Sequence, residues 1–239
     1  MAGRLVRRTV VDSTNEEAKT LIADGAEPWT VVVAERQVAG KGRFGRGWAS
    51  PRGGLYVSVI LREALERTPL LSMAASLAVV DALEGWNVPS GVKWPNDVQV
   101  GSAKVAGILV EGLLVREAYW VVIGVGVNSD VPLDRLLPQL DTPATTLRDE
   151  ISAPVDNEEL LARLLSALRD RLEGLEDPTR VTQAYRDRCV TLGRDVVVET
   201  TEGTLRGRAI DVADSGALIL RQSSGEVVEV TEGTLRSPG

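Results

Sequence analysis

The sequence predicts an α+β fold: a mixed, largely antiparallel sheet flanked by helices, with a small β-barrel at the C-terminus. Three observations carry this. The runs VKWPNDVQV, AKVAGILVEGLLV and YWVVIGVGVN follow one another through short turns, which makes the sheet at least partly antiparallel. Helical periodicities stand before and after them. From Val190 the texture changes to short strands punctuated by EGT, DSG and SSGE turns, enough for a barrel of ~50 residues. The expected division is therefore residues 1–189 and 190–239.

Taken in order, Asp12 and Ser13 precede a helical pattern, and Ser13 to Glu16 fits a capping box opening a helix that ends near Gly25. TVVVAERQ makes a strand from about Thr30 that runs into the glycine-rich stretch AGKGRFGRGWASPRGG, Ala39 to Gly54. GLYVSVILRE alternates as a second strand, and TPLLSMAASLAVVDALEGW is a long apolar-periodic helix. After the three central strands comes the polar segment DVPLDRLLPQLDTPATTLRDEI. Helices follow from about Asn157 to Leu175 and from about Thr179 to Arg188. The tail contributes VVVET, LRGRAIDV, ALILRQ and EVVEV. TEGTLR occurs twice, at Thr201 to Arg206 and Thr231 to Arg236, and reads as two similar strand entries without functional weight.

Composition narrows the chemistry. No apolar run approaches a membrane span and MAGRLVRRTV is not followed by a signal-peptide core, so the expected place is the cytoplasm with no membrane partner. The single cysteine, Cys189, has no intramolecular disulfide partner, and with no histidine in the chain the usual zinc, Ser-His and Cys-His arrangements are excluded. Neither zinc nor haem is expected. Acid, base and electrostatic work falls to Asp, Glu, Lys, Arg or Tyr. A net charge of −7 argues against a protein built to hold duplex nucleic acid.

The basic loop is then a local exception. Gly40 to Gly45 satisfies G-x-G-x-x-G, but Pro51, Gly53 and Gly54 lead into a strand instead of the helix that a dinucleotide site needs, and no Walker pattern is present. What remains is a run of glycines carrying Lys41, Arg43, Arg46 and Arg52. Such a loop wraps a phosphate, or else is a solvated basic surface.

Further stretches decide between these. DSTNEE (Asp12 to Glu17), ERQVAGKGRFGRGW (Glu35 to Trp48), GLYVSV (Gly54 to Val59), KWPNDV (Lys93 to Val98), KVAGILVE (Lys104 to Glu111) and IGVGVN (Ile123 to Asn128) together resemble the biotin protein ligases, in the family's motif order across essentially the whole chain. ATTLRDE and the GALIL turn of the tail also fit. The chain has Phe44 where the family loop often carries a further arginine. Only about eleven residues precede DSTN, so a form without the DNA-binding helix-turn-helix of repressor-type members is expected, and no DNA partner.

The resemblance implies a class II synthetase-like catalytic unit and an SH3-like C-terminal β unit. It implies a two-step reaction, in which biotin and MgATP give biotinyl-5′-AMP and pyrophosphate and the biotinyl group then passes to a lysine of a biotin carboxyl carrier protein domain of a biotin-dependent carboxylase. Biotin and ATP with Mg²⁺ are the implied substrates; the enzyme is expected as a monomer or weak homodimer. Lys104 matches the lysine that contacts both biotin and the α-phosphate, and Arg43 the loop arginine on the adenylate, with Lys41 and Gly42 completing the covering segment. Ser13, Thr14 and Asn15 match the wall of the biotin ring pocket, Gln37 a side chain beside it, and Gly107 belongs to the same pocket. Arg46, Trp48 and Asn128 match the nucleotide side, and Asp97 the group that receives or orients the acceptor lysine. No residue is assigned to the metal. Each has a plainer reading: Ser13 as a helix cap, Arg46 as a solvated charge, Trp48 as packing, Asp97 as a turn residue. A lipoate-type ligase or acyltransferase of the same general fold is the alternative function, and a nucleic-acid-binding module the non-enzymatic one.

Overall fold

The computed structural model describes residues 3–136 and 143–236, so part of the polar segment after Asp130 lies outside the described residues. Its main sheet has seven strands: β1 (Leu5–Arg8), β2 (Val31–Ala34), β3 (Leu55–Leu61), β4 (Ser90–Lys93), β5 (Asp97–Val100), β6 (Ala103–Val115) and β7 (Ala118–Val127). They lie in the order β1-β2-β3-β7-β6-β5-β4. β1 is parallel to β2 and the other pairs are antiparallel, the mixed sheet that the sequence predicts.

Strand alternation assigns the two faces. Val31, Val57, Val59, Ile123, Val125 and Ile108 point into the main core. That face is covered by α2 (Thr68–Glu84), which is buried on nearly every side because α4 (Asn157–Glu173) and α5 (Pro178–Arg188) pack over it. On the opposite face Val32, Ile60 and Val122 meet Ala18 and Ile22 of α1 (Thr14–Ala23). α1 packs on β2, β3 and β7, and the cleft described below lies beside it on the same face, over glycine positions of β6 and β7.

Four local expectations change. VKWPNDVQV is not one strand but the β4–β5 hairpin, turning through Trp94–Asn96 with a cis Trp94–Pro95 bond. Ser13 occupies the N-cap of α1 in extended conformation but makes no side-chain capping bond, while Glu16 pairs with Lys19 and Lys41 instead of closing the box. The short strand β1 and the five-residue helix α3 (Leu147–Ile151), capped by the Thr146 hydroxyl, are additions.

The C-terminal strands β8 (Asp195–Thr200), β9 (Gly203–Val212), β10 (Leu218–Arg221), β11 (Val227–Val230) and β12 (Thr234–Arg236) form an antiparallel sheet ordered β11-β10-β9-β8-β12. These five strands are the small C-terminal β unit that the sequence predicts; among the described residues no ladder joins β11 to β12. Each TEGTLR copy is a turn feeding a strand, β9 and β12 respectively. This sheet shares the main core: Val198, Leu218, Leu220 and Leu235 belong to the same buried cluster as Leu77 and Ile123. Trp94 ties the two parts, its indole N–H donating to the Gly216 carbonyl at 2.9 Å and its main-chain N–H to the Thr191 hydroxyl at 3.0 Å. Among the described residues no helix is long and apolar enough to cross a membrane.

Candidate active site

The β1–β2 pairing continues past the strand ends, and this brings distant motifs side by side. Val11 bridges Gln37 in parallel, and the N–H groups of Val38 and Ala39 donate to the carbonyls of Val11 and Asp12, both at 2.9 Å. Gln37 thereby reaches the start of α1. Its side-chain carbonyl accepts the Thr14 N–H at 2.7 Å, taking over the work expected of Ser13, whose hydroxyl is left to the cleft. The Gln37 amide is held at its other end by Ser50, to which it donates at 2.7 Å.

The basic loop is a small hairpin over this region. Lys41 bridges Gly47, Gly42 N–H donates to the Arg46 carbonyl at 2.7 Å, and Trp48 N–H to Gly40 at 2.8 Å. A 3₁₀ turn at Arg43–Gly45 forms its tip, with Phe44 in the left-handed region at φ 57°. Gly40 has to be glycine, because a Cβ there would lie 2.5 Å from the Trp48 carbonyl. Phe44 is 52% exposed and carries the Arg43 guanidinium 4.9 Å from its ring centroid. Arg43 makes no ion pair among the described residues, and burial lowers its pKa, with Arg46 repelling it and Glu232 and Asp97 opposing. It is a partly desolvated cation.

The floor of the cleft is made by what is missing from the sheet. Gly107 pairs with Gly126 and Leu109 with Gly124 across β6 and β7. A Cβ at Gly126 would lie 2.4 Å from the Trp48 indole nitrogen, and one at Gly124 would lie 2.2 Å from Asn15 Oδ1. These glycines let Trp48 and Asn15 lie against the sheet. Above Gly107, Lys104 Nζ sits 4.9 Å from the Trp48 ring centroid and 2.5 Å from Asp97 Oδ1. Trp48 Nε1 is buried and has no hydrogen-bond partner among the described residues.

The resulting cleft holds about 510 Å³, the size of a small-molecule site. Of the residues expected from the sequence, Ser13, Thr14, Asn15, Gln37, Lys41, Gly42, Arg43, Arg46, Trp48, Asp97, Lys104 and Gly107 line it together. Asn128 does not. It is buried behind Lys104, its amide donating to the carbonyls of Thr145 at 3.1 Å and Lys104 at 3.4 Å, so it fixes the backbone there. Cys189 is also apart from the site, and burial raises its thiol pKa.

Charge sorts the cleft into two ends. Lys41, Arg43, Arg46, Lys104 and Arg236 line it against the single carboxylate of Asp97, in a chain of net charge −7. Lys93, whose Cα is register partner to Asp97, has its pKa lowered by burial, Asp97 opposing and Lys104, Arg236 and Arg46 adding repulsion. This end suits an anion of more than one charge. The other end, at Thr14, Asn15 and Gln37, is neutral and rich in hydrogen-bonding groups.

Several contributors escaped the sequence. Arg236 comes from β12, inside the second TEGTLR copy, so that repeat carries a residue that lines the cleft. Gly124 and Gly126 lie within IGVGVN, where their alternate spacing on a strand is the available signal. Ser58 and Glu111, polar residues within apolar strands, support the neutral end from behind.

The Biotin/lipoate A/B protein ligase family matches residues 7–128, and the Biotin protein ligase C terminal domain matches residues 191–234. A biotin–[acetyl-CoA-carboxylase] ligase of Mycobacterium tuberculosis is 37% identical, covering 92% of this chain and 84% of its own. One from Paracoccus denitrificans is 35% identical, covering 91% and 94%. The biotin protein ligase of Aquifex aeolicus, solved with biotin and ATP, superposes with a TM-score of 0.84 at 28% identity, covering 98% of this chain and 99% of that one. With the glycine-floored cleft, its cationic end and these relatives agreeing, the chain belongs to the biotin/lipoate protein ligase family and, within it, to the biotin protein ligases.

Proposed function

We propose that this chain joins biotin to AMP using MgATP and passes the biotinyl group to a lysine of a biotin carboxyl carrier protein. The observation that carries this is the two-ended cleft: an uncharged hydrogen-bonding pocket at Thr14 and Gln37, next to cations converging on Lys104. A cyclic urea offers a carbonyl acceptor and two N–H donors, which the neutral end can pair. The dithiolane ring of lipoate offers neither, and this favours biotin over the lipoate reading.

In the first step a biotin carboxylate oxygen attacks the α-phosphorus, the bond to the bridging oxygen breaks, and pyrophosphate leaves. Two anions must meet. Lys104, held beside Trp48 and Asp97 over Gly107, carries the charge that serves both the carboxylate and the α-phosphate. Arg43 and Arg46 meet the phosphates from the loop and Arg236 from the C-terminal sheet, while Mg²⁺ arrives with the nucleotide. Trp48, lying over Gly126 and Gly107, gives an aromatic surface beside them.

In the second step the acceptor amine attacks the acyl carbonyl of the mixed anhydride, AMP leaves, and one proton is released. Asp97 is the carboxylate that draws in the acceptor's ammonium and orients it as it loses that proton. The ion pair with Lys104 fixes Asp97 while the site waits. The test is incubation with biotin and MgATP, measuring pyrophosphate and the adduct by mass spectrometry, then adding a carrier domain. Biotinyl-AMP and a carrier heavier by one biotinyl group are expected. Absence of both, or equal turnover of lipoate, overturns the reading.

A further inference from the structure

Behind the neutral end, Ser58 and Glu111 lie outside the cleft lining but hold Thr14 and Asn15, which line it. Ser58 is fully buried in the middle of β3, and Thr14 and Asn15 are each 4% exposed. Asn15 Nδ2 donates to Glu111 Oε2 at 2.7 Å. Lys19 holds the other oxygen of Glu111 at 2.7 Å. A carboxylate only accepts, so Asn15 must turn its NH₂ toward Glu111 and its Oδ1 toward Ser58, 2.6 Å away.

This constrains the remaining protons. Ser58 has a single O–H, and Asn15 Oδ1 has nothing to give, so Ser58 donates there. Thr14 Oγ1 then has two acceptors in reach, Ser58 Oγ at 2.8 Å and the Gln37 side-chain carbonyl at 3.1 Å, and its one proton is spent between them. With its proton spent on these protein acceptors, Thr14 Oγ1 is left as an acceptor at the cleft wall. Gln37 is fixed by Thr14 and Ser50, its carbonyl facing the Thr14 N–H and hydroxyl and one amide proton on Ser50, which leaves its second N–H as a donor. One acceptor and one donor side by side complement a ring N–H and its carbonyl. The sheet is shaped for this chain: at Gly124 even a methyl group would strike Asn15 Oδ1 at 2.2 Å.

We propose that Glu111 is a positioning residue that sets the hydrogen-bond polarity of the acyl-donor pocket, acting through Asn15, Ser58 and Thr14, and so selects a cyclic urea. This rests on the function proposed above. Glu111 touches no substrate in this scheme. An amide at this position could either donate or accept, and only the longer 3.4 Å bond to the Leu109 carbonyl would then hold the Asn15 amide in its direction.

The experiment compares the full-length wild type with Glu111→Gln and Ser58→Ala, measuring biotin affinity by calorimetry without nucleotide. It also measures KM for ATP, kcat at saturating biotin, and Tm. Each variant should weaken biotin about tenfold, the scale of one mispaired buried hydrogen bond, with KM for ATP and kcat within about twofold of wild type. In a double-mutant cycle Glu111→Gln and Thr14→Val should be non-additive, because both act through the same Thr14 hydroxyl. If wild type binds no biotin, the proposed function fails and this inference with it. If wild type binds biotin and Ser58→Ala and Glu111→Gln bind it equally well, the positioning role is overturned while the function stands. A uniform loss of biotin affinity, ATP KM and kcat along with Tm would make Glu111 a general structural residue, which also overturns it.

Discussion

Lys104 meets two demands with one ammonium: it is 2.5 Å from the Asp97 carboxylate and lies over the Trp48 ring. Its side chain is 24% exposed, so it is partly withdrawn from water without being part of the core. Removing it should leave the fold intact and remove a fixed positive charge from the place where two anions approach. Lys104→Ala is expected to slow biotin-dependent pyrophosphate release by about a hundredfold to a thousandfold, equivalent to ~3 to 4 kcal/mol for one transition-state electrostatic donor. A well-folded variant with near-normal release would show that Lys104 only anchors Asp97. Most of the site was legible at this scale, because Lys104, Arg43 and Thr14 sit in motifs whose chemistry is carried by the side chain itself. Gly124, Gly126 and Ser58 were not, since their contribution is the space or bond they give to a residue on another strand.

Among elements, the loop from Ala39 to Gly54 is held by weak means. Its Lys41 reaches Glu16 at 2.8 Å, but the side chains are 47% and 40% exposed, where such pairs stabilise little. Hydrogen bonds from Lys19 and then Lys41 lower the Glu16 pKa, so this tie is present at neutral pH and is lost only as pH falls through that depressed value, below the ordinary 4.5. Arg43, with no ion pair among the described residues, gains one when a phosphate arrives. Trypsin cleavage after Lys41, Arg43 and Arg46 is therefore expected to be slowed strongly by biotin plus ATP and partly by biotin alone; equal rates throughout would show that the loop is no lid. The β4–β5 hairpin carries the opposite tension. Lys93 has its pKa lowered from 10.5 by burial and then by its cationic neighbours, so the free protein is destabilised by that charge and gains stability as pH rises toward 10.5. Lys93→Met should raise Tm at neutral pH, abolish that gain, and weaken ATP binding about tenfold. An unchanged Tm would mean that solvent already relieves the charge. This hairpin was hidden in the sequence because Val92, Trp94 and Val98 are all buried, so the run reads as one strand through its own turn. Helices α4 and α5 were easier, their starts marked by Asp156 and Asp177, whose carboxylates accept from the first N–H groups.

At the scale of the whole molecule, the change of texture at Val190 suggested a separable unit, and the packing shows why strand pattern alone could not settle that. Residues of both sheets share one core, Trp94 donates to Gly216, and Arg186 of α5 bonds Asp211 and the Val212 carbonyl at 2.8 Å. About 50 residues bury too little surface to be stable alone, and the main sheet in turn relies on that cover. Deleting residues 191–239 would expose Trp94, which is only 2% exposed in the intact chain, together with the end of α2 where Pro69 and Met73 meet Gly216. That truncation is expected to lose cooperative folding and would report nothing specific about catalysis. Arg236→Ala separates the two roles. Its side chain is 51% exposed and bonds Glu199 within its own sheet at 3.3 Å, so its removal should shift Tm by no more than a degree or two. Yet it lines the cationic end of the cleft and stands on the side from which the nucleotide's phosphates would be met. KM for ATP should rise about tenfold, the worth of one charge-assisted hydrogen bond, while biotin affinity measured without nucleotide stays unchanged. Arg236→Lys should recover part of the loss, keeping the charge without the bidentate geometry. If Arg236→Ala leaves KM for ATP where it was, the C-terminal sheet acts only as a buttress to the core, and the cations that serve the nucleotide all come from the main sheet and its loop.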